Sequence, residues 1–119
     1  MKSHKDLIVW QKSMLLVKRL YEITRTFPKE ELFGLTSQMR RAAVSIPSNI
    51  AEGYGRLYDK DTVRFLSTAL GSAAELETQL LISEQIGLLA QSELDELLTL
   101  NMEIIRMLTA LSKKIGNLN

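Results

Sequence analysis

The sequence has no cysteine, one histidine, two prolines and six glycines among its 119 residues. Without thiols, disulfides and thiolate metal sites are excluded, and His4 alone cannot form a histidine cluster. No apolar stretch approaches the roughly 18 residues of a membrane-spanning helix. The first residues also lack the apolar region of a signal peptide. These absences predict a cytoplasmic protein that does not contact a membrane.

The composition is that of a folded protein, since 45% of the residues are hydrophobic and 24% are charged. The length supports one domain, expected over residues 1–119. The net charge of +1 conceals an uneven distribution. Residues 1–64 hold 12 basic and 7 acidic side chains, net +5, and residues 65–119 hold 3 and 7, net −4. Such a division suits a side that faces a polyanion, head-to-tail contact between copies, or two halves that neutralise each other.

Apolar residues recur at steps of three and four in four long segments, which the prolines and glycines separate. This periodicity is typical of amphipathic helices and not of strands. We therefore expect an all-α fold, an antiparallel up-down-up-down bundle of four helices. Each helix of about 20 residues would be about 30 Å long.

Punctuating residues predict how these helices begin, bend and end. Asp59 to Asp61 are expected to cap the third helix, Gly87 to end it, and Ser92 to cap the fourth. Pro47 is expected to kink the second helix without dividing it, on the side that faces the exterior.

The first helix carries two apolar rows where a bundle helix normally needs one. The second row indicates either deep burial or contact with a neighbouring subunit, and we favour the subunit. One row comprises Leu7, Trp10, Met14, Val17, Tyr21 and Thr24, and the other comprises Val9, Ser13, Leu16, Leu20, Ile23 and Phe27.

Polar side chains border the apolar stripe of the second helix at steps of three and four. If the second and third helices are antiparallel, these residues face polar residues of the third, and we expect Arg41 to pair with Glu75 or Glu77. The favoured interpretation is a structural network that fixes helix register, and the alternatives are a ligand or nucleic-acid site and a subunit interface. Asn101 on the fourth helix is interpreted in the same way. The predicted network comprises Gln38, Arg41, Ser45, Asn49, Glu52, Ser72, Glu75 and Glu77.

The sequence offers little for catalysis. It has no Glu-x-x-His pair for a metal site in the bundle, no cysteine nucleophile and no glycine-rich phosphate loop before a helix. We expect no enzyme activity, no cofactor, no metal and no catalytic residue. Basic side chains could instead follow a phosphate backbone, with Tyr54 and Tyr58 stacking on bases. These nucleic-acid-binding candidates are Lys12, Lys18, Arg19, Arg25, Arg40, Arg56, Lys60 and Arg64.

Several blocks, together and in this order, resemble the 23S rRNA intervening-sequence proteins, also called the four-helix-bundle protein family. The resemblance covers about residues 5–90, and the fourth helix agrees only in its pattern. The blocks are DLIVWQK at 6–12, FPKEE at 27–31, GLTSQMRRAA at 34–43 and SIPSNIAEG at 45–53, followed by FL at 65–66, GS at 71–72, ELE at 75–77 and Gly87.

This resemblance implies a left-handed antiparallel bundle that assembles as a homopentamer. The family takes its name from reading frames within insertions of bacterial ribosomal RNA genes. A related branch, the accessory variability proteins of diversity-generating retroelements, is pentameric and basic, and binds nucleic acid and a reverse transcriptase. No catalytic residue is established for the family, and its polar positions coincide with Gln38, Arg41, Asn49, Glu52, Ser72 and Glu75.

Two functional hypotheses follow. The first is a non-enzymatic oligomer that binds structured RNA or DNA, or that is a scaffold for a nucleic-acid enzyme such as a reverse transcriptase. The second is a protein–protein assembly module with no nucleic-acid role, in which the basic half contacts an acidic partner or another copy.

Overall fold

Each of the four predicted helical segments forms one α-helix in the computed structural model, which describes residues 3–117. The helices are α1 (Ile8–Thr24), α2 (Leu35–Tyr54), α3 (Asp59–Gln85) and α4 (Gln91–Gly116). Short 3-10 turns at His4–Asp6 and Lys29–Glu31 precede α1 and α2. No strand occurs in this part of the chain. The all-α expectation is confirmed.

Side-chain contacts between neighbouring helices give their relative direction. Met39 near the start of α2 contacts Ser83 of α3, whereas Ser45 further along α2 contacts Ser72. The two helices therefore run antiparallel. On α1 and α4, Lys12 pairs with Glu103 and Arg19 with Glu96, so these two helices also run in opposite directions. Each helix packs against the next one in the chain, and α4 closes the bundle against α1. The predicted up-down-up-down order is confirmed.

The core draws fully buried side chains from all four helices. Burial of each large aliphatic side chain stabilises the fold by about 1.5–3 kcal/mol. Of the two apolar rows of α1, the row from Val9 to Ile23 enters this core. The other row is only partly covered, because Met14 and Tyr21 are exposed. The largest fully buried aliphatic side chains are Leu16, Leu20, Met39, Ile46, Ile50, Leu66, Leu76, Leu80, Leu97, Ile104 and Leu108.

The helix ends differ in part from the predicted caps. Asp59 and Asp61 lie within the first turn of α3. Their carboxylates interact favourably with the positive end of the helix dipole, but neither caps a backbone N–H. At α4, Ser92 lies inside the helix, and the Glu93 carboxylate accepts the Ala90 N–H at 3.1 Å instead.

Gly87 ends α3 as predicted, with a φ of 82° that only glycine adopts readily. The Leu88 N–H then donates to the Ser83 carbonyl at 2.9 Å, and the Gly87 N–H donates to Glu84. These two bonds form a Schellman motif.

Pro47 lies within a continuous α2, as expected, but not on the exterior. It is buried beside Trp10 and Val17 of α1. The expectation was wrong because α2 has two helical neighbours. Its apolar stripe faces the centre of the bundle, and the side that carries Pro47 faces α1.

No helix within residues 3–117 has the length and apolar character that crossing a bilayer requires.

Candidate nucleic-acid interface

Two of the eight predicted nucleic-acid-binding cations, Lys12 and Arg19, are used to hold α1 against α4. Lys12 pairs with Glu103. The Arg19 guanidinium donates to both oxygens of Glu96, at 2.5 and 2.9 Å, and to Glu22 at 3.1 Å. The basic first half and the acidic second half therefore neutralise each other in part within one chain.

The Arg19–Glu96 contact affects the ionisation of both groups. Hydrogen bonds from the guanidinium lower the pKa of the Glu96 carboxyl below its ordinary 4.5, because they stabilise the charged carboxylate. The same bonds raise the pKa of Arg19, because they favour the charged guanidinium. Both side chains remain partly exposed, so solvent screens the interaction.

Three further candidates lie near the turn between α2 and α3. Arg56 pairs with Glu52 at 3.2 Å and lies 4.6 Å above the ring of Phe65, and Arg64 lies 3.7 Å from Asp61. Lys60 is exposed and forms no ion pair with any described residue.

The tyrosines at this turn differ from each other. Tyr58 is exposed, as base stacking requires, whereas Tyr54 packs against the core. Burial raises the pKa of the Tyr54 hydroxyl. Of the two predicted stacking residues, only Tyr58 has a ring that is open to solvent.

Of the last three candidates, Arg25 and Arg40 line one cavity between α1 and α2, and Lys18 is exposed on α1. Lys18 and Arg25 are exposed and form no ion pair with residues 3–117. The Arg40 guanidinium lies 4.5 Å above the ring of Tyr21, and its Nε donates to the Thr24 hydroxyl at 3.0 Å. We call these three cations with Tyr21 the basic half of the α1–α2 face.

The other half of the α1–α2 face is apolar. A groove of about 340 Å³ there is lined by Trp10, Met14, Val17, Val44 and Pro47, among others. Met14 is 46% exposed. A second apolar groove, of about 470 Å³, lies where α1 meets the end of α4, and Leu7, Ile8, Met107 and Leu111 line it. The first half of α1 is therefore flanked by open apolar surface on both sides.

Part of the predicted polar network forms between α2 and α3. The Ser45 and Ser72 hydroxyls share a hydrogen bond of 2.7 Å across the two helices. The Asn49 amide donates to the Ser45 carbonyl at 2.8 Å and to its hydroxyl at 2.9 Å. Small side chains at these positions let the two helices approach closely. This contact connects Ser45, Asn49 and Ser72 as the spacing predicted.

The expected ion pair of Arg41 with Glu75 or Glu77 is absent. Arg41 is exposed and lines a polar groove of about 460 Å³ with Gln38 and Glu75, but no carboxylate of residues 3–117 lies within 4 Å of it. Glu75 instead accepts a hydrogen bond from Gln79 at 3.1 Å. The prediction was wrong because an exposed pair gains little over hydration and restricts two long side chains.

The outer members of the predicted network, Gln38 and Glu52, also contribute nothing between α2 and α3. Gln38 is exposed. Glu52 pairs with Arg56, which lies four residues later in the sequence and not on α3. Glu77 is half-buried and forms no ion pair with a described residue.

Sequence reasoning missed the close approach of α2 and α3 at Gly53. The Thr62 hydroxyl donates to the Gly53 carbonyl at 2.8 Å. A Cβ at position 53 would lie 3.0 Å from the Cβ of Phe65 and 3.1 Å from the Thr62 carbonyl. A glycine followed by a threonine nine residues later was the available signal.

Within residues 3–117, no three histidine, cysteine or acidic side chains are grouped as a metal site requires.

The chain is similar to proteins of one family. The sequence model of the family described as 23S rRNA-intervening sequence protein matches residues 5–110, so the match continues into α4. A solved structure, a protein of unknown function from the S23 ribosomal protein family of Bacteroides thetaiotaomicron, has the same fold with a TM-score of 0.83 at 23% identity. It covers 89% of this chain and 96% of its own. No curated protein matches this chain.

Proposed function

Because the chain belongs to the 23S rRNA-intervening sequence protein family, we propose that it is a non-enzymatic, cytoplasmic protein that assembles into a homo-oligomer and binds structured RNA or DNA. The observation that carries the proposal is the division of the α1–α2 face. Its apolar half contacts a second copy, and its basic half contacts the nucleic acid. Five copies is the number that the family resemblance implies.

Assembly is supported by the open apolar surface on both sides of α1. Met14 and Val44 are exposed beside an apolar groove, and Ile8 is exposed beside another. In a monomer both grooves are in contact with water. Contact with a second copy removes this apolar surface from water, which is favourable.

Nucleic-acid binding is supported by the three cations of the basic half. Lys18 and Arg25 keep their full charge available, because no carboxylate of residues 3–117 pairs with them. Arg40 is held in place by Tyr21 and Thr24. Repetition of such a surface around a homo-oligomer would present a continuous positive path to phosphates. An assembly of this kind could also be a scaffold for a nucleic-acid enzyme such as a reverse transcriptase.

A protein–protein assembly module with no nucleic-acid role is the second candidate. Four of the eight predicted cations, Lys12, Arg19, Arg56 and Arg64, already pair with carboxylates of the same chain. The positive charge that remains is therefore smaller than the sequence indicates.

Light scattering on the purified protein tests the assembly. We expect a mass that is a multiple of 13.5 kDa for the wild type and a monomer for Met14→Glu. Leu57→Glu, which changes a residue that is 91% exposed at the α2–α3 turn, is the matched control and should keep the wild-type mass. A monomeric wild type would contradict the assembly.

Fluorescence anisotropy with a labelled hairpin RNA and a labelled duplex DNA separates the two candidates. The proposal predicts binding that Lys18→Gln and Arg25→Gln weaken and that Lys60→Gln, at the other end of the bundle, does not. An intact oligomer that binds neither probe at low salt would favour the protein–protein module.

A further inference from the structure

A small cavity lies under the connection between α1 and α2, next to the basic half. Its volume is about 240 Å³. This is below the roughly 300–1,000 Å³ of pockets that hold drug-sized ligands. The cavity is therefore the size of a site for a small chemical group.

The lining of this cavity is positive. Arg25, Lys29 and Arg40 contribute to it, and no acidic residue does. Arg25 and Lys29 form no ion pair with residues 3–117. The nearby carboxylate of Glu31 accepts the Leu35 N–H at 3.3 Å, so it is already engaged at the start of α2.

Arg40 is the fixed member of this lining. Its Nε donates to Thr24, and its guanidinium stacks on Tyr21, so the side chain is held from two sides. Its two terminal NH₂ groups donate to no atom of the described residues. A positioned guanidinium with free donors is well suited to binding an oxyanion.

Thr36 gives a second, independent indication of a ligand. It lines the same cavity and is 3% exposed. Its hydroxyl oxygen is buried and has no hydrogen-bond partner. Buried hydroxyls in folded proteins are nearly always paired, so an unpaired one beside three cations requires an explanation.

We infer that this cavity binds one phosphate group, with Arg25, Lys29 and Arg40 neutralising its charge and the Thr36 hydroxyl, which is buried in the unbound protein, donating to one of its oxygens after a rotation about χ1. The group can belong to a free phosphate ester or to a nucleic-acid backbone. The inference goes beyond the proposed RNA contact and stands without it, because it concerns the phosphate and not the molecule that carries it.

Titration of the full-length protein with inorganic phosphate, followed by amide chemical shifts, tests the site. We expect saturable shifts at Lys29 and Thr36 that potassium chloride at equal ionic strength does not produce. The Arg25→Gln/Lys29→Gln double variant should bind phosphate about tenfold more weakly or worse, because two charge-assisted contacts are lost. Thr36→Val should weaken binding while it preserves the shape of the side chain.

Lys18→Gln is the matched control, since Lys18 is an exposed cation of α1 that does not line the cavity and forms no ion pair with residues 3–117. It should leave phosphate binding unchanged, although it weakens RNA binding under the proposed function. Displacement of phosphate by an RNA without terminal phosphates would identify the backbone as the source, and displacement by a nucleoside monophosphate alone would identify a free ester. No saturable shift in the wild type, or equal loss in Lys18→Gln, would overturn the site.

Discussion

The side-chain amide of Asn101 on α4 donates a hydrogen bond of 2.9 Å to the backbone carbonyl of Ala73 on α3, and both residues are fully buried. The amide oxygen of Asn101 has no partner. This one bond therefore fixes the register of two helices at the cost of one unsatisfied atom, which agrees with the interpretation of Asn101 as a register residue.

Replacement of Asn101 by aspartate should make stability depend on pH. A buried carboxylate beside a carbonyl is disfavoured, so its pKa in the folded state rises above the roughly 3.9 of an unfolded chain. The variant should lose about 3 kcal/mol or more of unfolding free energy at pH 7, and less as the pH falls towards 4, where the protonated acid can donate to Ala73. Urea unfolding of variant and wild type at each pH measures the difference.

Asn101→Ala is the control for this experiment. It should lose about 1–3 kcal/mol, from one hydrogen bond and a small cavity, equally at both pH values. An Asn101→Asp variant whose deficit does not change with pH would show that position 101 is hydrated.

Two glycine substitutions should have opposite effects. Gly53→Ala places a methyl group 3.0 Å from the Cβ of Phe65 and should destabilise the protein by about 1–3 kcal/mol. Gly71→Ala meets nothing within 4 Å on an exposed side of α3 and should stabilise it by about 0.5–1 kcal/mol. Thermal melts of both variants decide, and a tolerated Gly53→Ala would mean that α2 and α3 are further apart than described.

Removal of the Arg41 side chain should have little effect on stability. Because Arg41 is exposed and has no carboxylate partner among residues 3–117, Arg41→Ala should stay within about 0.5 kcal/mol of the wild type. Loss of Ser45, whose hydroxyl bonds to both Ser72 and Asn49, should cost about 1 kcal/mol in Ser45→Ala. Denaturant curves would contradict this ranking if Arg41→Ala were the more damaging of the two.

The Arg19–Glu96 pair should contribute to stability above acidic pH only. The folded-state pKa of Glu96 is lowered from 4.5, so its contribution is present above that value and is lost as the pH falls through the folded pKa. Glu96→Gln should therefore melt slightly below the wild type at pH 7 and low salt. The two melting temperatures should converge once the pH falls below the folded-state pKa of Glu96, or in 1 M salt, because protonation and screening remove the same interaction. A difference that persists in both conditions would have another origin.

The sequence was sufficient for the four helices and their order, because periodicity reports which side of each helix is apolar. It also identified Ser45, Asn49, Ser72 and Asn101 as polar residues between helices. It failed for Arg41 because periodicity places a residue on a side of a helix. Periodicity does not show whether the charge is solvated by water or paired with a carboxylate. The left-handed sense of the bundle stays a prediction.

Pro47 shows a second limit of sequence reasoning. The stripe of large apolar residues on α2 predicts one buried side. A second side, which faces α1, is also buried, but it carries small residues and a proline, which the apolar pattern does not count. Likewise, Lys12 and Arg19 were identified as candidates for a polyanion because the sequence does not show that Glu103 and Glu96 lie opposite them.

The salt dependence of RNA binding tests the central claim most directly. Each phosphate contact adds about one unit to the slope of log binding constant against log salt concentration. The wild type should show a steep negative slope, and the Lys18→Gln/Arg25→Gln double variant should flatten it by about two units for each contacting subunit, while Lys60→Gln leaves it unchanged. Binding that is insensitive to salt, or a slope that the double variant does not change, would contradict the assignment of the basic half as the nucleic-acid interface.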